Sequence, residues 1–408
     1  MINEEKSVIH IKLLKLLGLY QLLNQKYSTI IGYNLLKCFT YLEIQLIVLL
    51  VIMSMWSLFW CYTDLFAIVT FSMTLIGGLV AGVKLYTMIR TSNKICRCLQ
   101  YTSIDYLIYK DHDRDLLMEG KKRVAFITNF YAICWISICL GWICGPMILK
   151  KMKIIIHFKD SVQIYNYNIF NLIFLKSDKL YNKYFKIFWM IESILVLAWC
   201  HVTITYGILF MSICITISYQ LKCISSSCAQ LGYSKIHILS SKTEELTVFN
   251  NFKTLIEDQL RTFRFIREIY TIFQQNTILQ IALNSSLFLT LLFQFIVNIS
   301  KGQPIVSFQN VLFIFTAFSN LFEMLIACYF FQIINDEKEK INFALYSCNW
   351  TEMGIEFQKL ILIGMRVNDA EKTKMKITTQ KLIDVHLFGE IIQRSYSILS
   401  VFANCVFR

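Results

Sequence analysis

Proline is almost missing from this chain: there are two in 408 residues, and both, Pro146 and Pro304, fall at the ends of apolar runs. Glycine is sparse too, with 14. Proline removes a helix donor and glycine loosens the backbone, so their scarcity lets long segments stay helical throughout. Collagen-like and low-complexity disordered classes are excluded on the same count. Charge is also scarce, at 16% against 56% hydrophobic residues, and the mean hydropathy is +0.52. That balance excludes an ordinary soluble domain. Only helices and closed barrels satisfy every backbone group in lipid, and these apolar runs are too long and too poorly alternating for barrel strands. The expected class is all-α, a polytopic membrane protein.

Other absences narrow the function. No small-residue cleavage pattern follows Val8 to Leu23, where leucines mix with Lys12 and Lys15; this stretch is expected to lie as an amphipathic helix on the inner leaflet. The 14 cysteines avoid the loop from Lys150 to Lys186, so no extracellular disulfide framework is indicated. Cys96 with Cys98, or Cys223 with Cys228, has no matched second pair, and no metal or cofactor is assigned. Neither clustered titratable residues nor broken mid-membrane helices are visible, which argues against an enzyme or a transporter. No nucleic-acid partner is expected.

Seven spans of about twenty largely apolar residues are predicted: Cys38 to Trp60, Leu65 to Ile89, Val124 to Leu149, Ile187 to Leu221, Gln275 to Ile299, Ile305 to Ile334 and Leu382 to Phe407. Lys and Arg concentrate in the alternate regions 1–37, 90–123, 222–274 and 335–381, with the lysine-rich loop from Lys150 to Lys186 dissenting. The positive-inside rule then puts the N-terminus in the cytoplasm and the C-terminus outside. Four segments follow. Residues 1–37 form a cytoplasmic amphipathic segment, and 38–334 carry the first six spans with a cytoplasmic helical extension over 222–274. Residues 335–381 form a cytoplasmic anchor loop, and 382–408 the last span.

Two patterns stand out within this frame. On the fifth span Gln280, Asn284, Gln294 and Asn298 fall near one helical edge, as when a span hides polar groups against its neighbours. Upstream of it, Leu246, Phe249, Ile256, Leu260, Phe263, Tyr270 and Phe273 recur at helical spacing among charges, predicting one long rod that runs on below the membrane. The last span carries the second pattern. Gln393, Ser397, Ser400, Asn404 and Arg408 stack on one face of a 3.6-residue helix. Such an edge reads either as packed bundle interior or as the wall of a conduction path. Among the charges, Glu43, Lys84 and Arg394 are expected to snorkel or pair near the inner boundary, while Glu192, His201 and Glu323 lie deeper.

The final third resembles the insect odorant receptors. The segment Leu321 to Trp350 is similar to that family's sixth span and inner-loop signature, with Ala344, Tyr346 and Trp350 at the matching positions. The stretches Phe357 to Ala370 and Phe388 to Phe402 are similar to its last loop and seventh span, with Ser395, Tyr396 and Ser397 at its serine, tyrosine, serine signature. Weaker similarity covers Tyr206 to Leu221, where Gly207 to Leu209 and Ile217 to Tyr219 depart from the family's acidic residue and histidine.

That resemblance implies a ligand-gated, non-selective cation channel in the plasma membrane of sensory neuron dendrites, assembled as a tetramer with a shared odorant receptor co-receptor and joined by a helical cytoplasmic anchor. The seventh spans would line one pore, with Gln393, Ser397 and Ser400 along it and Val401, Asn404 and Cys405 at the constriction. A Val401 ring can close by dewetting. Small volatile ligands would bind among spans two, three, four and six toward the outer face. Candidate residues are Phe71, Thr74 and Gly78; Trp135, Ile138, Cys139 and Trp142; Ser193, Val196 and Cys200; and Phe308, Phe315 and Ser319. Shape and aromatic walls suit such ligands, although packing alone also explains any one of these residues. The rival readings are a G-protein-coupled receptor, disfavoured by topology and by the missing late-helix prolines, and a gustatory-type receptor, whose terminal signature is absent.

Overall fold

The computed structural model describes residues 7–18, 35–61, 64–149, 152–158, 161–174, 177–233, 242–300, 302, 304, 306–370, 374–378 and 380–406. A short helix, α1 (Ile11–Leu16), precedes α2 (Leu35–Trp60), α3 (Leu65–Arg90), α4 (Ser92–Gln100) and α5 (Arg114–Ile148). A hairpin of β1 (Lys153–Phe158) and β2 (Ser161–Asn166) and a single-turn helix, α6 (Asp178–Lys183), follow. Then come α7 (Phe185–Ala229), α8 (Lys242–Ser300), α9 (Phe308–Ser347), α10 (Ile355–Ala370) and α11 (Val385–Val406). Within the N-terminal stretch predicted as amphipathic, a helix forms over Ile11–Leu16 with Ile11 and Leu14 buried, and residues 19 to 23 lie outside the described residues.

Six described helices are long and apolar enough to cross a membrane: Cys38–Trp60, Ala67–Arg90, Arg114–Ile148, Phe185–Ala229, Leu246–Ser300 and Phe308–Glu352. The segment read as a seventh span contains α11, a 22-residue amphipathic helix that is not among these six. The rod predicted for the fifth span is one unbroken helix of 59 residues. At 1.5 Å per residue it is roughly 90 Å long, far beyond a hydrocarbon core of about 30 Å. With α7 and α9 it forms a continuous core in which Phe210 meets Phe273 and Phe331 edge to face, at ring separations of 5.4 Å each.

Strand pairing is the feature that the all-α expectation missed. β1 and β2 pair antiparallel from Lys153 with Asn166 to Phe158 with Ser161. Ile154, Ile156 and Phe158 turn inward onto Phe71, Tyr165 and Tyr181, while Ile155 is exposed. Period-two burial over six residues is a strand pattern. Its brevity beside long apolar helices hid it.

Of the charges expected to snorkel or pair, two are paired with groups on other helices. Lys84 does not snorkel to an interface. It is fully buried and its ammonium lies 2.5 Å from Glu323, which also accepts from Gln280 at 2.9 Å. A partner on another helix removes the need to reach water. Glu43 pairs with His201, whose other ring nitrogen contacts the Leu17 carbonyl at 3.0 Å. The fifth-span polar edge does face neighbouring helices: Asn298 donates to Asn310 at 2.8 Å and Gln294 bonds Asn298.

A clamp joins the helical extensions at the end away from the hairpin. Asp258 accepts from the backbone N–H groups of Ile108 and Tyr109 at 2.8 and 2.9 Å and lies 3.1 Å from His112, which bonds Ser227 on α7. The linker between α4 and α5 is thereby pinned against both α7 and α8. Burial pushes the nearby Cys98 and Cys223 thiols up to about 12, so both stay protonated. Among the described residues no cluster of metal-ligating side chains forms.

Candidate functional site

In the half of the bundle nearer the hairpin, six long helices converge on a small cavity of about 30 Å³. Its described walls are Leu50 of α2, Met73, Thr74, Gly77 and Gly78 of α3, Trp142 of α5, Trp199 of α7, Leu287 and Leu291 of α8, Thr316 of α9, and Phe170 from the segment after β2. The glycines matter because a side chain at either would take this space: a β-carbon at Gly77 would lie 3.7 Å from the Trp199 ring and one at Gly78 would lie 3.1 Å from Val51.

The polar groups around the cavity are almost all committed. Trp142 donates its indole N–H to the Thr316 hydroxyl at 3.2 Å, and Thr316 donates to the Leu312 carbonyl at 2.8 Å. Thr74 donates to the Thr70 carbonyl at 3.1 Å. Phe170 is held over the cavity because its N–H and that of Leu172 donate to Glu192 at 2.7 and 3.0 Å, while Ile173 N–H donates to Ser57 at 3.0 Å. Glu192 is fully buried, and these bonds are its role. Asn171 turns the segment with φ 54°, a left-handed conformation that asparagine tolerates.

Of the residues proposed from sequence, Thr74, Gly78 and Trp142 line this cavity. Trp135, Ile138, Cys139, Val196 and Cys200 are buried in the same core, with Trp135 edge to face against Trp199 at 5.8 Å. Phe71 packs beneath the hairpin instead. Ser193 bonds the Trp189 carbonyl of its own helix at 2.7 Å. Phe308 packs against the main core, Phe315 is 46% exposed and Ser319 bonds the Phe315 carbonyl, so these three do not line the cavity. Sequence reasoning missed Trp199, Gly77, Thr316 and Phe170. Trp199 and Thr316 lie one helical turn or less from Val196 and Ser319, so a full-turn reading of each face would have included them.

Along α11 the polar stripe is uncovered. Gln393, Ser397, Ser400 and Asn404 are exposed, and Val401 is 62% exposed. Ser397 and Ser400 bond carbonyls of their own helix, at 3.1 and 2.8 Å, so their protons are satisfied without a partner. Ser395 turns the other way and is buried, and Phe402 meets Phe293 of α8 at 5.2 Å. Of Cys405 only the helical backbone is described, and Arg408 lies outside the described residues. In the inner-loop signature Trp350 donates to the Tyr346 carbonyl at 3.0 Å and Ala344 is buried.

Comparison with known proteins resolves the family. The model described as 7tm Odorant receptor matches residues 63–396. The chain belongs to the odorant receptor family. Two solved structures of the insect olfactory receptor OR5 from Machilis hrabei share its fold. The one in complex with eugenol superposes with a TM-score of 0.74 at 12% identity, covering 97% of this chain and 98% of that one. The other gives 0.72 at 12% identity, covering 96% and 97%. No curated protein sequence matches. A receptor of this family and an apolar multi-helix membrane protein are therefore one and the same description of this chain.

Proposed function

We propose that this odorant receptor is a ligand-tuned subunit of a cation channel: it binds small volatile molecules in the cavity between α3, α5, α7, α8 and α9 and opens a pore lined by α11. The observation that carries the reading is a division of labour. A nearly all-apolar cavity lies in one half of the bundle, while the polar edge of α11, unlike that of α8, is left uncovered by its own chain. Exposed polar and apolar side chains together on a membrane-length helix call for further subunits around a wet axis.

The mechanism follows from volume. A cavity of about 30 Å³ is far smaller than a drug-sized pocket of roughly 300 Å³ or more, so a volatile ligand enters only as the walls separate. Its binding free energy is thereby tied to a helix arrangement different from the resting one, which is what a ligand needs to shift a conformational equilibrium. Both α8 and α9 wall the cavity and both pack on α11, which gives the displacement a direct route to Val401 and Asn404 at the constriction. Hydrated cations pass when the Val401 ring widens enough to wet.

The assembly in this reading is a heterotetramer with the odorant receptor co-receptor, with the N-terminus in the cytoplasm, the C-terminus outside, and the extensions of α7, α8 and α9 with α10 forming the cytoplasmic anchor. The family membership and a structural relative solved with eugenol support a small-molecule ligand. Co-expression with the co-receptor in cells with G-protein signalling blocked tests the whole. A rapid odorant-evoked cation current is expected; none in any pairing, with surface delivery confirmed, overturns it.

A further inference from the structure

We infer that Trp199 is the hydrogen-bond donor of the ligand cavity, and that it selects compact apolar molecules carrying an acceptor oxygen, such as ketones, esters and ethers, over hydrocarbons of the same shape. The inference rests on the cavity being the ligand site. Four side chains around it carry an N–H or O–H: Thr74, Trp142, Trp199 and Thr316. Three of the four protons are spent, on the Thr70 carbonyl, the Thr316 hydroxyl and the Leu312 carbonyl. The Trp199 indole nitrogen is buried with no hydrogen-bond partner, although the residue is nine-tenths or more buried.

A buried donor left unmade is rare and costly, and where it persists a missing partner is the usual reason. Gly77 leaves the indole edge free: a β-carbon there would stand in van der Waals contact with the ring, 3.9 Å from the nitrogen itself. The edge-to-face contact with Trp135 fixes the ring plane from behind. Because the remaining walls, Leu50, Met73, Leu287, Leu291 and Phe170, offer no polar side chain, one acceptor satisfies the site, and a second polar group on the ligand would be buried unpaired.

The test compares methyl pentyl ketone, isoamyl acetate and anisole, each against the hydrocarbon in which methyl or methylene groups replace every oxygen, by concentration for half-maximal current in cells carrying this chain and the co-receptor. The receptor is expected to favour acceptor-bearing members by about tenfold or more, the discrimination expected when a buried polar group loses its partner. In Trp199→Phe, which keeps an aromatic ring but not the N–H, that ratio should fall to about one. A wild-type ratio near one, or a ratio that survives Trp199→Phe, overturns the donor assignment. Gly77→Val separates this outcome from failure of the site itself, since it fills the cavity: unchanged responses to every probe would move the ligand elsewhere and take the inference with it.

Discussion

The ammonium of Lys84 on α3 lies 2.5 Å from the carboxylate of Glu323 on α9, both side chains buried and 239 residues apart in sequence. The pair joins two helices that also wall the cavity. Removing one partner of a buried pair leaves an uncompensated charge. Lys84→Met is therefore expected to destabilise the fold by about 3–5 kcal/mol, while Lys84→Met combined with Glu323→Leu should recover most of the loss. Thermal unfolding of the purified chain in detergent checks this, and a double variant no better than the single one would contradict it.

Acid should loosen the clamp at the helical extensions. Burial works to raise the Asp258 carboxyl, but the bonds from His112 and from the Tyr109 and Ile108 N–H groups outweigh it and hold the group below the ordinary carboxylate value. A pKa depressed in the folded state contributes stability that is complete above the ordinary value of about 4 and is lost as pH falls through the folded one. Amide exchange over 101–113 is expected to stay slow at neutral pH and to rise on acidification below that range. Asp258→Asn should show faster exchange than the native chain at neutral pH, with the difference closing as acid protonates Asp258.

Glu192 sets how firmly the cavity is roofed. Glu192→Ala strips the acceptor from the Phe170 and Leu172 N–H groups, and each buried donor left unpaired costs about 1–3 kcal/mol. Faster exchange across 168–173 and a shifted odorant potency are the expected outcomes, with Glu192→Gln intermediate because one acceptor oxygen remains. Unchanged exchange would assign the roof to other contacts.

Gly207 departs from the family pattern for a reason visible in the packing. A β-carbon there would come within 2.5 Å of the Tyr131 ring and hydroxyl. Gly207→Ala is expected to cost about 1–3 kcal/mol by overpacking, and Tyr131→Leu in the same chain should relieve part of that. An alanine as stable as the native glycine would mean the two helices separate freely here.

These cases show what could be read before the fold was known. Span positions were legible because runs such as Cys38–Trp60 need no partner to declare themselves, and the α8 rod was legible because its apolar residues keep helical spacing through Phe273. Pairing was not legible. Nothing local ties Lys84 to Glu323, His201 to Glu43 or Phe170 to Glu192, since each depends on how distant segments are brought together. The cavity was legible only in small part: of its walls, Thr74, Gly78 and Trp142 were among the candidates that the resemblance suggested, while Phe315 and Ser319 share a helix with Thr316 but do not line it. The shared exposed edge of Gln393, Ser397, Ser400 and Asn404 on α11 was legible, since helical period alone fixes which residues share an edge.

That stripe bears the central claim. Single cysteines placed at Ser397, Ser400 and Asn404, co-expressed with the co-receptor, can be challenged with a membrane-impermeant thiol reagent while current is recorded. Modification that blocks or reduces the odorant-evoked current, faster in the presence of odorant, is the predicted result. Cysteines that stay unreactive with and without odorant, in receptors that still conduct, would contradict a pore lined by α11.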